Sequence, residues 1–533
     1  MMDSTSRYID AHELKTWIHD DAELALLDVR EHGQFGEDHL FFAVPLPYSE
    51  LELQIGRLVP RQETRMVIYG DANTEPAVQA SLRILRRLGY RCARMLKGGI
   101  QAWKDAGYAT FAGVNLPSKT FGELAEHAYD TPRISANNLH TLLKDGKSNI
   151  VVLDGRPISE YRKMNIPGAI CCPNGELALR IDALAPDPDT KIVINCAGRT
   201  RSIIGAQTLI NLGIPNEVYA LENGTQGWYL ADLPLEHQSD RVYPETVNAG
   251  SLNAQRERAE RLMARFGVAT VSAGDVKAWL RDPARNVFLC DVRTEEEHEQ
   301  GDLPALVQHT PGGQLIQATD QYIGVRKARI VLCDTDGVRA PVVASWLKQL
   351  GWDVSILREL QCLKDLPDPP RYAPALDRAR EVKPGALASF MSLHPDAIVL
   401  DSRPSGQFRQ ESLRGATWVL RPTLIGQLSA CQGRPVLLLG NNAGKLALLA
   451  ADLEEAGHGD VHVCVVGGTD LRDSGLPLQA NSDMPDGACI DYLFFVHDRH
   501  DGNKEAARRY LEWETNLVSQ IDEQERGTFL IDV

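Results

Sequence analysis

A cysteine followed closely by two arginines is the feature of this sequence best suited to covalent chemistry. The segment comprises Cys196, Ala197, Gly198, Arg199, Thr200, Arg201 and Ser202. An apolar run that ends at Asn195 precedes it, and a helical pattern begins near Ser202. Backbone N–H groups and the dipole at the start of a helix stabilise an anion, and so favour the thiolate form of a cysteine placed there. The pattern predicts a nucleophilic Cys196 in a loop that binds an anion or holds a persulfide.

An Asp-x-Arg segment, Asp154 and Arg156, ends another apolar run about 40 residues before the cysteine. The same segment ends an apolar run at three other places, as Asp28 with Arg30, Asp291 with Arg293, and Asp401 with Arg403. The Asp-x-Arg segment is present in copies with a cysteine after the second apolar run and in copies without one. We therefore interpret Asp154 and Arg156 as a structural ion pair that supports the site.

The repetition extends beyond Asp-x-Arg and predicts the fold. In each copy a second apolar run follows, then a polar loop, an amphipathic helical stretch and a third apolar run. The second runs lead to Gly70, Cys196, Cys333 and Gly440. Strand, loop, helix and strand form a βαβ unit. The sequence thus predicts an α/β protein of four tandem domains, each a mainly parallel sheet flanked by helices, with a C-terminal helical tail.

Domain boundaries are expected where the pattern stops. We expect the domains at residues 1–115, 130–240, 265–370 and 376–480, and the tail at residues 481–533. Residues 113–131 are interpreted as a linker and residues 251–267 as a charged linking helix. The tail is expected to contain a helix from about Asn503 to Gln520 that packs on another domain.

A closing Gly-x-x-x-Trp, Gly224 to Trp228, completes the pattern around Cys196. The first copy has the same closing signature at Gly99 and Trp103. With Asp-x-Arg and a cysteine between a strand and a helix, this pattern resembles the rhodanese family of sulfurtransferases. The resemblance covers nearly all of the chain up to about residue 480, and the four-copy arrangement is similar to that of bacterial four-domain members.

The resemblance implies a thiosulfate sulfurtransferase. Cys196 would take the outer sulfur of thiosulfate as a persulfide, release sulfite, and pass the sulfur to cyanide or another thiophilic acceptor, without a cofactor or a metal. Arg201 lies five positions after Cys196, which resembles the six-residue rhodanese loop. Some members have a basic residue before the aromatic residue of the Asp-x-Arg segment, whereas Glu160 precedes Tyr161 here. A second hypothesis is a persulfide-carrier scaffold that hands sulfur between protein partners.

The other three copies contain weaker candidates for a nucleophile, or none. Cys333 and Arg339 fit the seven-residue Cys-x5-Arg loop of related phosphatases, which gives a third hypothesis of phosphatase chemistry in the third copy. Acidic residues flank Cys333, and nearby negative charge disfavours a thiolate. Gly70 and Gly440 provide no nucleophile.

Two further groups contain residue types that could do chemistry. The adjacent pair Cys171 and Cys172 leaves open a resolving thiol. The polar cluster at residues 497–501 is interpreted as a turn before the last helix rather than as a metal site.

Composition narrows the class of protein and its partners. The 533 residues are 43% hydrophobic and 24% charged, which is typical of a globular multidomain protein. The net charge of −16 disfavours nucleic acid and anionic membranes as partners. The ten cysteines show no metal-ligand spacing, and no apolar run is long enough to span a bilayer. From this composition we expect a cytoplasmic protein, and the resemblance to the rhodanese family implies that it acts on a small sulfur-containing anion. A protein sulfur acceptor and a homo-oligomer remain open.

Overall fold

The computed structural model describes residues 7–146, 148–247, 249–370, 372, 380–493 and 503–531. It contains four five-stranded sheets with one shared topology. In chain order of the strands, each sheet runs first, fifth, fourth, second, third, and neighbouring strands are parallel. The predicted architecture of four repeated α/β copies is confirmed.

The chain divides into two compact units. Unit one comprises residues 1–15, 26–112 and 370–494, and holds the sheets of the first and fourth copies. Unit two comprises residues 16–25, 113–369 and 495–533, and holds the sheets of the second and third copies.

In the first copy the strands Ala25–Asp28 and Met66–Tyr69 are fully buried, as expected of parallel strands covered on both faces. Its strands are β1 (Tyr8–Ile9), β2 (Ala25–Asp28), β3 (Val44–Pro45), β4 (Met66–Tyr69) and β5 (Ala93–Leu96). Its helices are α1 (Ala11–His19), α2 (His32–Glu37), α3 (Leu51–Leu58), α4 (Glu75–Arg87) and α5 (Gly99–Asp105).

The second copy begins with a helix where the sequence predicted a linker. Its helices are α6 (Leu116–Tyr129), α7 (Ala136–Asp145), α8 (Ile158–Lys163), α9 (Leu177–Leu184), α10 (Thr200–Asn211) and α11 (Gly224–Leu230). Its strands are β6 (Arg133–Ile134), β7 (Ile150–Asp154), β8 (Ile170–Cys171), β9 (Lys191–Asn195) and β10 (Val218–Leu221). Helix α6 packs along α10. Its first turn contains Pro117, which suits the start of a helix.

The third copy follows the expected linking helix. Its helices are α12 (Ala249–Arg265), α13 (Ala273–Arg281), α14 (Glu295–Glu299), α15 (Gly312–Gln317) and α16 (Arg339–Gln349). Its strands are β11 (Ala269–Val271), β12 (Val287–Asp291), β13 (Val307–His309), β14 (Arg329–Cys333) and β15 (Asp353–Leu357). Capping boxes begin two of these helices, where Ser272 pairs with Asp275 and Thr294 pairs with Glu297.

The fourth copy adds a small antiparallel pair, β18 with β22, to the shared sheet. Its strands are β16 (Arg380–Glu381), β17 (Ile398–Asp401), β18 (Ser412–Leu413), β19 (Thr417–Trp418), β20 (Val436–Gly440), β21 (Val461–Val465) and β22 (Leu478–Gln479). Its helices are α17 (Leu387–Leu393), α18 (Ser405–Gln410), α19 (Leu428–Cys431), α20 (Ala443–Glu455) and α21 (Asp470–Asp473).

The tail contains the expected helix, Lys504–Gln520, here called the C-terminal helix, and a short helix, Glu523–Arg526. The side chain of Asn503 accepts a hydrogen bond from Ala506 N–H and so caps the C-terminal helix. This helix packs on α6 and α11 of the second copy. No helix in the described ranges is long and apolar enough to cross a membrane.

Candidate functional site

Cys196 lies at the carboxyl edge of the second copy's sheet, between the end of β9 and the start of α10. In parallel α/β sheets this edge is where ligands bind. The thiol is buried, with 2% of the residue exposed, and its Sγ accepts a hydrogen bond from Ser202 Oγ at 3.0 Å. The first N–H groups of a helix have no partner within the helix, so the start of α10 can stabilise an anion beside Cys196.

The closing Gly-x-x-x-Trp holds the cysteine loop by close backbone approach. Gly224 has φ +53°, and a Cβ there would lie 2.4 Å from Cys196 O and 2.6 Å from Gly198 O. Thr225 N–H donates to Cys196 O at 2.8 Å. Trp228 is buried, and its Nε1 donates to Pro234 O at 2.7 Å. Glycine is therefore required at position 224 by both its conformation and the space available.

The Asp-x-Arg pair lies under the loop. Arg156 donates from Nε and Nη2 to the two carboxylate oxygens of Asp154 at 2.8 and 2.7 Å. Asn195 Nδ2 also donates to Asp154, at 2.8 Å, which ties the pair to the end of β9. The same Arg–Asp pair forms in the other three copies. The geometry holds strand ends together and brings neither charge into the cavity described below.

Arg199 is paired with carboxylates of α6. Its Nε and Nη2 donate to Glu123 at 2.8 and 2.9 Å, and Nη2 also contacts Glu126. Burial raises the pKa of the Glu123 carboxyl to about 7, although Arg199 opposes this shift. Burial alone would lower the pKa of Arg199, but the pairing with Glu123 and Glu126 raises it. The charge of Arg199 is therefore largely compensated within the protein.

Arg201 is also paired, with the acidic residue that departs from the family pattern. Its Nη1 and Nη2 donate to the two oxygens of Glu160, both at 2.8 Å. Such a bidentate pair is among the stronger charge-assisted contacts. Glu160 thus fixes Arg201 beside the loop and reduces the positive charge that Arg201 presents.

The C-terminal helix forms a wall of the site. Glu514 is buried and accepts hydrogen bonds from Thr200 Oγ1 at 3.0 Å and from Lys119 Nζ at 3.2 Å. Lys119 Nζ also contacts Tyr510 Oη. A Cβ on Gly198 would lie 2.7 Å from Glu514 Oε2 and 3.4 Å from Tyr510 Cε1. The glycine in the loop therefore allows the helix to approach.

These elements enclose a cavity of about 290 Å³ at the cysteine. Loop residues, polar residues of α6, α8 and the C-terminal helix, and amide side chains of the third copy line it. The lining residues are Val114, Asn115, Lys119, Glu160, Lys163, Cys196, Ala197, Gly198, Arg199, Thr200, Arg201, Gln314, Gln317, Ala318, Gln321, Tyr510 and Glu514. The cavity is polar, and it is larger than a small inorganic anion requires.

Comparison with known proteins identifies a matching domain family and a similar full-length structure. A family model for the rhodanese-like domain matches residues 10–106 and 135–231. The crystal structure of thiosulfate sulfurtransferase from Pseudomonas aeruginosa is 37% identical, covers 99% of both chains and has a TM-score of 0.88. The chain belongs to the rhodanese family.

A second match covers a shorter stretch of the chain. An HTH-type transcriptional regulator of Mycobacterium tuberculosis is 32% identical over 106 residues, which is 20% of this chain. The chain spans 46% of the length of that regulator.

The third rhodanese copy requires a correction, because the residue in the position of Cys196 is Asp334 and not Cys333. Cys333 pairs with Asp291 in the sheet, as Asn195 pairs with Asp154. The loop position of the third copy therefore lies one residue further along the chain than the spacing from Asp154 to Cys196 predicted. Gly70 and Gly440 do correspond to Cys196, since Tyr69 and Leu439 accept the equivalent backbone hydrogen bonds from the strand-end segment.

The carboxylate of Asp334 occupies the loop between β14 and α16 in the third copy. It accepts hydrogen bonds from Gly337 N–H at 3.0 Å and Ala340 N–H at 2.8 Å. Cys333 is buried in the core, donates to Cys290 O at 3.4 Å, and burial raises the pKa of its thiol well above the usual range. This geometry argues against the second site predicted at Cys333 and Arg339, since the thiol lies in the core and the carboxylate of Asp334 occupies the loop.

Cys171 and Cys172 are buried, and burial raises the pKa of both thiols. Neither lines the cavity. Among the described residues no group of three or more His, Cys, Asp or Glu could hold a metal ion. The polar cluster at residues 497–501 lies outside the described residues.

Sequence reasoning missed the residues that surround the loop. Lys119, Glu123 and Glu126 come from the segment interpreted as a linker, and Tyr510 and Glu514 come from the tail. The charged residues of α6 recur at helical spacing, and this signal could have indicated a helix with a polar buried face. Nothing local in the sequence connects that face with the tail.

Proposed function

We propose that this rhodanese takes the outer sulfur of thiosulfate onto Cys196 and transfers it to cyanide or another thiophilic acceptor. The observation that carries the proposal is the position of the Cys196 thiol. Cys196 directly follows β9 in the loop that leads to α10, its Sγ accepts a hydrogen bond from Ser202 Oγ, and it lines the cavity. The full-length similarity to a thiosulfate sulfurtransferase supports the choice of donor.

The reaction balances in two half-reactions. The Cys196 thiolate attacks the outer sulfur of thiosulfate, the S–S bond breaks, and sulfite leaves with the bonding electrons. The acceptor then attacks the outer sulfur of the Cys196 persulfide, and the thiolate is restored as the leaving group. Ser202 Oγ and the start of α10 stabilise the negative sulfur in both halves. The other three copies have Gly70, Asp334 and Gly440 at this position, so the covalent step belongs to the second copy.

The test is thiocyanate formation from thiosulfate and cyanide by wild type, Cys196→Ser and Cys333→Ser. We expect turnover and the gain of one sulfur atom in the intact mass for wild type and Cys333→Ser, and neither for Cys196→Ser. The buried Cys333 thiol does not line the cavity, so its variant is a matched cysteine control.

Turnover that survives Cys196→Ser would show that the persulfide forms elsewhere. If wild type neither turns over thiosulfate nor gains sulfur, the thiosulfate proposal fails. In that case sulfur loading of Cys196 by a cysteine desulfurase tests the alternative of a persulfide carrier between protein partners.

A further inference from the structure

Four cationic side chains line the cavity around Cys196, and three of them already have carboxylate partners. Arg199 pairs with Glu123 and Glu126, and Arg201 pairs with Glu160. Lys119 pairs with Glu514. An anion that enters must compete with these carboxylates for each of the three cations, and breaking a buried pair is costly.

The fourth cation, Lys163, is in a different situation. It is the last residue of α8, its side chain is exposed, and it lines the same cavity. In the part of the chain that the structure describes, no carboxylate forms an ion pair with it. Its position at a helix C-terminus gives it only a weak attraction to the last carbonyls of α8. The ammonium of Lys163 can therefore bind an entering anion without breaking an ion pair.

We propose that Lys163 binds the anionic oxygens of the sulfur donor at the cavity, while the donor's outer sulfur reaches Cys196. This inference rests on the proposed function and extends it to the recognition of the donor. It makes Lys163 a determinant of specificity for donors whose negative charge lies on an oxyanion group attached to the transferable sulfur. Arg199 and Arg201 then shape the loop through their carboxylate partners, and Lys163 supplies the uncompensated positive charge.

Charge arithmetic at the site supports this division of roles. Lys119, Arg199 and Arg201 face Glu123, Glu126, Glu160 and Glu514, so without Lys163 the group has no excess of positive charge. A Cys196 thiolate adds a further negative charge. A doubly charged donor would meet net repulsion in such a site, and the exposed ammonium of Lys163 offsets part of it.

The kinetic test compares Lys163→Gln and Lys163→Arg with Lys144→Gln. Lys144 is an exposed lysine of α7 that does not line the cavity, so it matches the loss of one surface charge in the same copy. In a two-step transfer, kcat/KM for each substrate reports its own half-reaction. We expect kcat/KM for thiosulfate to fall about tenfold in Lys163→Gln, to be retained in Lys163→Arg and Lys144→Gln, and kcat/KM for cyanide to change by less than about twofold.

Salt dependence gives a second readout that a merely structural role would not affect. Because Lys163 is exposed, its attraction for the donor is screened by salt. We expect kcat/KM for thiosulfate to decrease less steeply with ionic strength in Lys163→Gln than in wild type. Equal slopes together with a kcat/KM within twofold of wild type overturn the proposal.

Binding without turnover separates this inference from the proposed function. Titration calorimetry of thiosulfate into Cys196→Ser and into Cys196→Ser/Lys163→Gln measures donor affinity in proteins that cannot react. We expect the second substitution to weaken binding about tenfold, and equal affinities would contradict the role of Lys163. If the wild type binds thiosulfate through Lys163 but does not turn it over, only the proposed function fails.

Discussion

At the scale of single residues, the chemistry of the site depends on which charges are already compensated. The two arginines that the sequence placed in the substrate loop are held by Glu123, Glu126 and Glu160. Removal of Arg199 would take a cation away from the buried Glu123 and Glu126, and removal of Arg201 would take one away from the partly buried Glu160. A loss of activity in an arginine variant would therefore not by itself show contact with substrate. Variants of Glu123 are more informative, because its protonation changes the charge of the cluster.

The raised pKa of the Glu123 carboxyl predicts that the stability of unit two depends on pH. Its pKa is about 7 in the folded protein because of burial, against 4.5 for an ordinary glutamate. An acid whose pKa is raised by folding stabilises the fold fully at low pH, and this contribution is lost as pH rises from about 4.5 to 7. The shift corresponds to about 3 kcal/mol. Between pH 5 and pH 8 we expect wild type to lose about 2–3 kcal/mol of stability that Glu123→Gln does not lose.

Urea unfolding at pH 5 and pH 8, followed by the accessibility of buried second-copy cysteines to alkylation, measures this difference. Glu257→Gln is the control, since Glu257 is an exposed glutamate of α12 in the same unit. Its pH dependence should parallel that of wild type. A Glu123→Gln profile that also parallels wild type would show that Glu123 is ionised throughout this pH range.

The assignments of Cys196 and Cys333 show which positions sequence spacing can locate and which it cannot. Cys196 was identified correctly as a strand-end cysteine, because the apolar run, the loop and the helix follow each other directly in the sequence. Cys333 was misassigned by one position, since the end of a strand cannot be located to a single residue without knowledge of its sheet pairing. Asp291 pairs with Cys333, and this register assigns the loop position to Asp334.

At the scale of elements, the repeated strands could be predicted, whereas α6 and the contact between the C-terminal helix and the cysteine loop could not. The strands are apolar runs that recur four times, so each copy supported the interpretation of the others. Helix α6 occurs in one place, and part of its buried face is charged, which is typical of an exposed segment or a linker. The C-terminal helix was expected, but its contact with the cysteine loop depends on packing between residues more than 300 positions apart.

The approach of the C-terminal helix to the loop gives a prediction for Gly198. A methyl group there would meet Glu514 Oε2 at 2.7 Å, and Glu514 is held in place by Thr200 and Lys119. We expect Gly198→Ala to displace Glu514, to lower the stability of unit two by about 1–3 kcal/mol, and to reduce kcat/KM for thiosulfate.

Gly274→Ala is the matched control for that substitution, and both variants are compared by melting temperature and kinetics. A Cβ on Gly274, within α13, would meet only Ser272 Oγ at 3.5 Å, which is an ordinary contact. Alanine is also favoured over glycine in a helix, so this variant should be as stable as wild type or more stable. If Gly198→Ala behaves like Gly274→Ala, the helix does not constrain the loop.

At the scale of the whole molecule, each unit joins two rhodanese copies through a buried arginine. In unit one, Arg421 of the fourth copy donates to Glu52 of the first at 2.6 Å. In unit two, Arg339 of the third copy donates to Glu176 of the second at 2.8 Å, and Trp346 Nε1 donates to Thr208 Oγ1 at 2.8 Å. The third copy therefore contributes to the site in two ways, since it stabilises the second copy and supplies part of the cavity wall.

The buried contacts between copies two and three predict that these two copies unfold together. Arg339 is 1% exposed and donates to Glu176, Glu297 and Asp336. Arg339→Gln leaves these carboxylates without their shared cation, and we expect a loss of about 3–5 kcal/mol. Arg358→Gln is the control, because the Arg358–Glu260 pair in the same unit is exposed and should contribute at most about 1 kcal/mol.

The measurement that separates joint from independent unfolding follows Cys172, a fully buried thiol of the second copy. It should become open to alkylation only when that copy unfolds, and peptide mapping identifies it. We expect Arg339→Gln, a substitution in the third copy, to expose Cys172 at a clearly lower urea concentration than Arg358→Gln does. If Cys172 stays protected to the wild-type urea concentration while Cys333 becomes exposed earlier, the two copies unfold independently, and the third copy acts only as a wall of the cavity.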